Sequence, residues 1–339
     1  MLPGKKYSFR EQIASTVKVG ALLFLLFIFF YFSYQVTHPL LPSKKHPILF
    51  YSNQTGDDLK RIVLNAIEGA KKSIFLQIYG CTDPAVISSL LRASEKGTSV
   101  RIFYDPSGSS ALYKKIPQAT PLIRSGLMHK KILVLDDKTV FIGTANFTPT
   151  SLCMHDNVIL GLRSKELAYD LQHSLKNRLH YTIGGQEIDL WHLPDFQQEC
   201  LNNTLHLLSK AEKTIHIALF TFTHPKILEA LFAAKERGVK ICVALDYYTA
   251  KGASLKTVEL LQKAHIPLYI SKGGKLLHHK WCLIDKSTLL LGSANWTKSA
   301  FTINEDCLLV IHALTDFQKK YFDKIWKSIE SNSIEQKIS

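Results

Sequence analysis

The 339 residues contain no C-x-x-C pair and no clustered Cys/His spacing. The six cysteines, at positions 81, 153, 200, 242, 282 and 307, are scattered singly, so spacing gives no ground for a zinc site or a disulfide framework. Cys242, Cys282 and Cys307 sit in apolar strand-like runs and read as small buried hydrophobes. There is also no long Lys/Arg run and no aromatic motif of the RNA-recognition type, which removes the dedicated nucleic-acid modules. Outside Val19 to Val36, no apolar stretch is long enough to cross a bilayer.

What the chain does have is positive charge. Lys and Arg total 42 against 28 Asp and Glu, a net +14, which suits an anionic partner such as phospholipid headgroups, a nucleic-acid backbone or phosphorylated small molecules. The segment "VGALLFLLFIFFYFSYQV" is uncharged and reads as a tilted transmembrane helix. Lys5, Lys6, Arg10 and Lys18 precede it, favouring a cytoplasmic tail over residues 1–18, an uncleaved signal anchor over 19–36 and an extracytoplasmic body.

The body repeats itself. "SIFLQIYGCTDPAVISSLLRASEKGTSVRIFYD", Ser73 to Asp105, aligns without a gap on "TIHIALFTFTHPKILEALFAAKERGVKICVALD", Thr214 to Asp246. Each copy reads as a strand, a helix opening at Pro84 or Pro225, a glycine at the helix end, and a second strand parallel to the first. Helical patterns precede both units, at 57–72 and 196–213, and a strand and helix follow each later motif. The second copy carries an extra helix and strand between Asp246 and His278. An α/β fold follows: two modules, 43–184 and 190–330, joined near "TIGGQEIDLWHLPD", each a mixed, mostly parallel sheet flanked by helices, paired as two lobes about a pseudo-twofold axis.

At matching points of the repeat stand "HKKILVLD" and "HHKWCLID", each trailed by Gly-x-x-Asn. His129, Lys131 and Asp136 with Gly143 and Asn146, and His278, Lys280 and Asp285 with Gly292 and Asn295, resemble the paired HxKxxxxD signatures of the phospholipase D superfamily. A lone HxKxxxxD arises by chance at on the order of one position in ten thousand, so the duplication carries the weight. The resemblance covers about residues 43 to 329.

A phosphodiester resists attack because its charge repels nucleophiles and its alkoxide leaves poorly. One neutral imidazole can attack phosphorus and form a phosphohistidine, while a second, protonated, gives its proton to the leaving oxygen. Lysines two residues along the same strands face the same side and can neutralise the phosphoryl oxygens, with Asn146 and Asn295 as further donors. Asp136 and Asp285 lie past the strands and read as loop braces. The resemblance implies a carboxylate behind each histidine, and Asp156 in "MHDN" and Glu305 in "INED" take that role. It also implies His129 as nucleophile and His278 as acid and base, no metal or cofactor, and a complete site within one monomer.

The copies differ in detail: "GTAN" replaces Gly-Ser in the first, and His155 stands where the second has Asn304. Strand alternation turns His279 away from His278 and Lys280, into a packed or hydrogen-bonded position. Phe147 and Trp296 either line a pocket or pack. The resemblance implies a membrane-anchored enzyme that hydrolyses phospholipid headgroups or transfers a phosphatidyl group. The alternative is an endonuclease of the same superfamily, cleaving DNA or RNA.

Overall fold

Both repeated segments fold as strand, helix and parallel strand. In the computed structural model the described residues are 9–37, 39–110, 112–173 and 179–336, with side chains of the first helix described from residue 16 to 30. The chain divides into two units, residues 1–40 and 41–339. The smaller holds α1 (Phe9–Thr37), a continuous helix that contains the apolar segment 19–36. Most of its described large apolar side chains, Phe24, Phe27 and Phe30 among them, are exposed. Among the described residues, no helix is long and apolar enough to cross a membrane. The first eight residues of the expected tail lie outside the described residues.

In the larger unit the first half runs β1 (Ile48–Tyr51), α2 (Leu59–Gly69), β2 (Ser73–Ile78), α3 (Pro84–Glu95), β3 (Ser99–Tyr104), α4 (Leu112–Lys115), β4 (Thr120–Pro121), β5 (Lys131–Leu135), β6 (Thr139–Gly143), α5 (Pro149–Cys153), β7 (Ile159–Arg163) and α6 (Lys165–Gln172). The second half runs β8 (His180–Ile183), β9 (Gln186–Leu193), α7 (Gln197–Ser209), β10 (Thr214–Leu219), α8 (Pro225–Glu236), β11 (Lys240–Leu245), α9 (Tyr247–Ala250), α10 (Leu255–Lys263), β12 (Leu268–Ser271), β13 (Lys280–Ile284), β14 (Thr288–Gly292), α11 (Lys298–Thr302), β15 (Asp306–Ile311), α12 (Asp316–Ser331) and β16 (Ser333–Gln336). The extra helix and strand of the second copy are α10 and β12.

The sheets are mixed but mostly antiparallel, which corrects the expectation of mostly parallel pairing. In the first, ordered β1-β7-β6-β5-β2-β3-β4, only β2–β3 and β3–β4 run parallel; in the second, ordered β16-β12-β11-β10-β13-β14-β15-β9-β8, only β10–β11 and β11–β12 do. The cause is local. Asp136 and Asp137, and Asp285 and Lys286, have positive φ, and such a turn sends the chain straight back as the β5–β6 and β13–β14 hairpins. Two boundaries also move. The expected linker is the β8–β9 hairpin, whose β9 pairs β15, so residues 180–184 join the second sheet; β16 extends that sheet beyond 330.

Residues 41–339 form one unit and not separate lobes, because one apolar core is shared by both halves. Ile132, Val134 and Ile142 of the first sheet pack in the same cluster as Trp281, Leu283 and Leu291 of the second. Each sheet's other face is covered by its own helices. Leu59, Ile62 and Val63 of α2 join Leu76 and Leu133, while Ile227 and Leu231 of α8 join Ile217. Strands β5 and β13 are buried on both faces, which is why "KILVL" and "KWCLI" read as unbroken apolar runs after their lysines. Burying each large apolar side chain contributes about 1.5–3 kcal/mol, so the shared layer fixes the halves relative to each other.

The motif glycines are demanded by close backbone approach. A Cβ at Gly143 would stand 2.3 Å from the Val158 oxygen, and one at Gly292 2.1 Å from that of Cys307. Gly292→Ala is therefore expected to destabilise the body by about 1–3 kcal/mol in equilibrium denaturation. An unchanged midpoint would contradict this packing.

Candidate active site

The histidines are positioned by an exchange between the halves. His129 N–H donates to the Glu305 carbonyl (2.8 Å) and Glu305 N–H to that of Leu127 (2.8 Å); His278 N–H donates to the Asp156 carbonyl (2.9 Å) and Asp156 N–H to that of Leu276 (2.9 Å). Each H-x-K approach thus lies as a short parallel bridge against the loop that enters β15 or β7 of the other half. Buried Asp105 and Asp246 hold the same approaches from behind. Each accepts the N–H of the residue before a motif histidine, Met128 at 2.8 Å and Leu277 at 3.0 Å.

This bridging decides which side chains reach the imidazoles, and it displaces the expected orienting acids by one residue. His129 Nδ1 lies 2.8 Å from Asp306 Oδ1, and His278 Nδ1 lies 3.0 Å from Asn157 Oδ1. Asp156 and Glu305 are not against the histidines: once their backbone groups join the bridge, alternation turns their side chains the other way. Asp156 pairs with Lys275 (2.6 Å) and Glu305 with Arg124 (2.5 Å), equivalent acids held by cations from non-equivalent positions of the repeat. The sequence held the signal, since Asn157 and Asp306 are equivalent repeat positions, but strand parity at a bridge between halves is not visible in one copy alone.

Lys131 and Lys280 are almost fully buried and donate from Nζ to the carbonyls of His129 (2.5 Å) and His278 (2.9 Å). Aromatic rings close the inner wall. Tyr79 stands edge-on to His129 with Lys131 Nζ over its face, and Phe220, its repeat equivalent, takes the same place beside His278 and Lys280. Motif spacing gave no sign of these rings. Asn146 and Asn295 follow β6 and β14; Asn146 Oδ1 accepts from Gly80 N–H (3.3 Å), and Asn295 Oδ1 is buried without a partner among the described residues.

The motif aspartates stand at the far ends of the strands. Asp136 Oδ1 accepts the N–H groups of Lys71 and Lys72, and Asp285 accepts those of Glu212, Lys213 and Thr214. These backbone donors hold both carboxyl groups below the usual range despite partial burial. Phe147 and Trp296 are buried in the helix-side cores. His279 Nε2 bonds Gln54 Oε1 at 2.6 Å, and burial drives it down to about 3, so it stays neutral. The ring of His155 lies 6.5 Å from that of His278.

The electrostatics are those of a site built for an anion. Burial is the main force pushing His129, His278, Lys131 and Lys280 below their ordinary values, Lys131 to about 7. Mutual repulsion adds to it: Lys280, Lys131 and His129 all act on His278, whereas Asp306 pulls His129 upward. A phosphoryl group among these residues would reverse those shifts, each unit being worth about 1.4 kcal/mol. Among the described residues, no group of three or more His, Cys, Asp or Glu is arranged to hold a metal ion.

Two sheets that each deliver one imidazole and one ammonium to a common seam define a phospholipase D-type phosphodiesterase. The family model described as "Cardiolipin synthase, PLD-like domain" matches residues 63–179 and again 204–326, and the chain belongs to that family. Among curated proteins it is similar to the mitochondrial cardiolipin hydrolase of Mus musculus, 28% identical over 138 residues, covering 39% of this chain and 61% of that protein. It is also similar to the phospholipase D of Rickettsia conorii, 27% identical over 128 residues, covering 35% and 62%. The chain thus spans about three fifths of the length of these relatives. Among solved structures, the phosphatidylserine synthase of Haemophilus influenzae shares the fold over 88% of this chain and 89% of its own, with a TM-score of 0.69 at 14% identity.

The crossed pairing predicts unequal mutational effects. Asp306→Ala is expected to lower kcat/KM about a hundredfold or more, and Glu305→Gln less than about threefold. Equal losses would contradict the assignment of Asp306 to His129.

Proposed function

We propose that the protein is a membrane-anchored phosphodiesterase that acts on phospholipids, hydrolysing the headgroup or transferring the phosphatidyl group to an alcohol. The observation that carries the lipid reading is a set of exposed apolar residues on the loops that lead to His129 and to the partners of the two histidines. Ile123 (80% exposed), Leu127, Met154 (53%) and Ile303 (48%) are all exposed, and Met154 and Ile303 are repeat equivalents in the loops that lead to Asn157 and Asp306. A groove of about 640 Å³ runs between Ile123, Leu127 and Ile303, with Arg124 at its side. An acyl chain would bury this surface, whereas a nucleic acid would leave it wet. The relatives' names, cardiolipin hydrolase and phospholipase D, support the same reading.

In the first step His129 Nε2 attacks phosphorus. An N–P bond forms, the P–O bond to the headgroup breaks, and His278 gives its Nε2 proton to the leaving oxygen. In the second, water or an alcohol attacks phosphorus, its proton passes to His278, and the N–P electron pair returns to His129. Lys131 and Lys280, with Asn146 and Asn295, stabilise the charge on the phosphoryl oxygens in both steps. Which acceptor wins depends on what the seam admits.

The anchor in this proposal is α1, with its uncharged 19–36 segment and the body outside the cytoplasm. Full-length protein is expected to stay with membranes through alkaline carbonate extraction; release would remove the anchor from the proposal. Purified protein is expected to produce phosphatidic acid or cardiolipin from phospholipid vesicles, and Lys280→Ala to abolish this. Met154→Asp with Ile303→Asp should cut vesicle turnover about tenfold or more while sparing a soluble phosphodiester. Cleavage of DNA or RNA without lipid turnover would replace this reading by the nuclease one.

A further inference from the structure

The two catalytic histidines occupy equivalent positions but have different partners. Asp306 Oδ1 accepts from His129 Nδ1 (2.8 Å) and from the Ser293 hydroxyl (2.6 Å). Asn157 Oδ1 faces His278 Nδ1 (3.0 Å) and accepts from the Thr144 hydroxyl (2.7 Å). Gly143-Thr144 and Gly292-Ser293 correspond, so the hydroxyls match and only the acid differs from the amide. The orientation of the amide is fixed: Asn157 Nδ2 donates to the Ser151 carbonyl at 2.9 Å, leaving Oδ1 for the imidazole. An amide oxygen only accepts, so His278 Nδ1 carries a hydrogen and Nε2 is the working atom.

We infer that Asn157 is a positioning residue that makes the halves chemically unequal: it fixes the His278 ring without lending it negative charge, so His278 gains its working proton only beside a phosphodiester anion. The inference rests on proton transfer by His278 in the proposed reaction but not on the identity of the substrate. A carboxylate at this place would stabilise imidazolium in the free enzyme. The charged and titratable groups that act most strongly on His278 are Lys280, Lys131, His129 and His155, all of which disfavour its charge, and Asn157 offers nothing against them. His129 by contrast has Asp306, which supports the positive ring that exists once an N–P bond has formed. The result is a weakly basic His278, which releases its proton readily to a leaving alkoxide, opposite a His129 whose charged adduct is neutralised.

Aspartate has nearly the shape of the asparagine it replaces, and Asp306 occupies the equivalent place beside His129 in the other half. The test is a histidine NMR titration of the full chain in detergent micelles, with His278 and His129 assigned by His278→Gln and His129→Gln. In Asn157→Asp the His278 midpoint should rise by about one pH unit or more while that of His129 changes little. Inorganic phosphate should raise the His278 midpoint in the unaltered protein. The second variant, Asp306→Asn, should lower the His129 midpoint and leave His278 in place. With bis(4-nitrophenyl) phosphate, whose leaving group needs no proton, Asp306→Asn should slow the first step. A His278 midpoint that does not move in Asn157→Asp, or that moves together with His129, overturns the inference. Because neither probe is a lipid, it stands or falls separately from the choice between lipid and nucleic acid.

Discussion

The site depends on one constraint: each motif histidine is held, backbone and side chain, by the opposite half of the chain. His129 is bridged to Glu305 and backed by Asp306, and His278 is bridged to Asp156 and backed by Asn157. Neither module carries a complete imidazole environment alone. The shared core of Ile132, Val134, Trp281 and Leu291 is what keeps these partners within hydrogen-bond reach. Stability and chemistry are therefore coupled through the same seam, and a slip of one sheet against the other would uncouple both histidines at once.

Duplication supplies the parts twice, with small departures between the copies. The lysines, the asparagines of Gly-x-x-Asn and the aspartate braces are the same in both halves. The partners of the histidines are not, nor are Tyr79 and Phe220, or His155 and Asn304. A symmetric site would bind a phosphodiester equally well in two orientations. The amide at Asn157 and the carboxylate at Asp306 break that equivalence at the Nδ1 atoms of the two motif histidines.

Much of this was legible in the residues, for reasons that can be stated. Pro84 and Pro225 at helix starts, and Gly97 and Gly238 with positive φ after helix ends, mark out two β-α-β units by local stereochemistry. The H-x-K spacing places His and Lys on one side of a strand, and the structure brings both pairs to one seam. What was not legible depends on contacts between distant segments. The sheets proved mostly antiparallel because left-handed residues after β5 and β13 reverse the chain, and the linker became β8–β9 by pairing with β15. The backing residues moved from Asp156 and Glu305 to Asn157 and Asp306 because parity is set by a bridge to the other half. Asp105 and Asp246 were visible as matching ends of the repeat, but only the fold shows that they hold the approaches to the histidines.

The most direct measurement is to trap the covalent intermediate with a phosphodiester labelled on phosphorus, quench in alkali and map the labelled peptide. The account predicts label on His129 alone, increased in His278→Ala and absent in His129→Ala. Label on His278, or turnover with no acid-labile phosphohistidine, would contradict it.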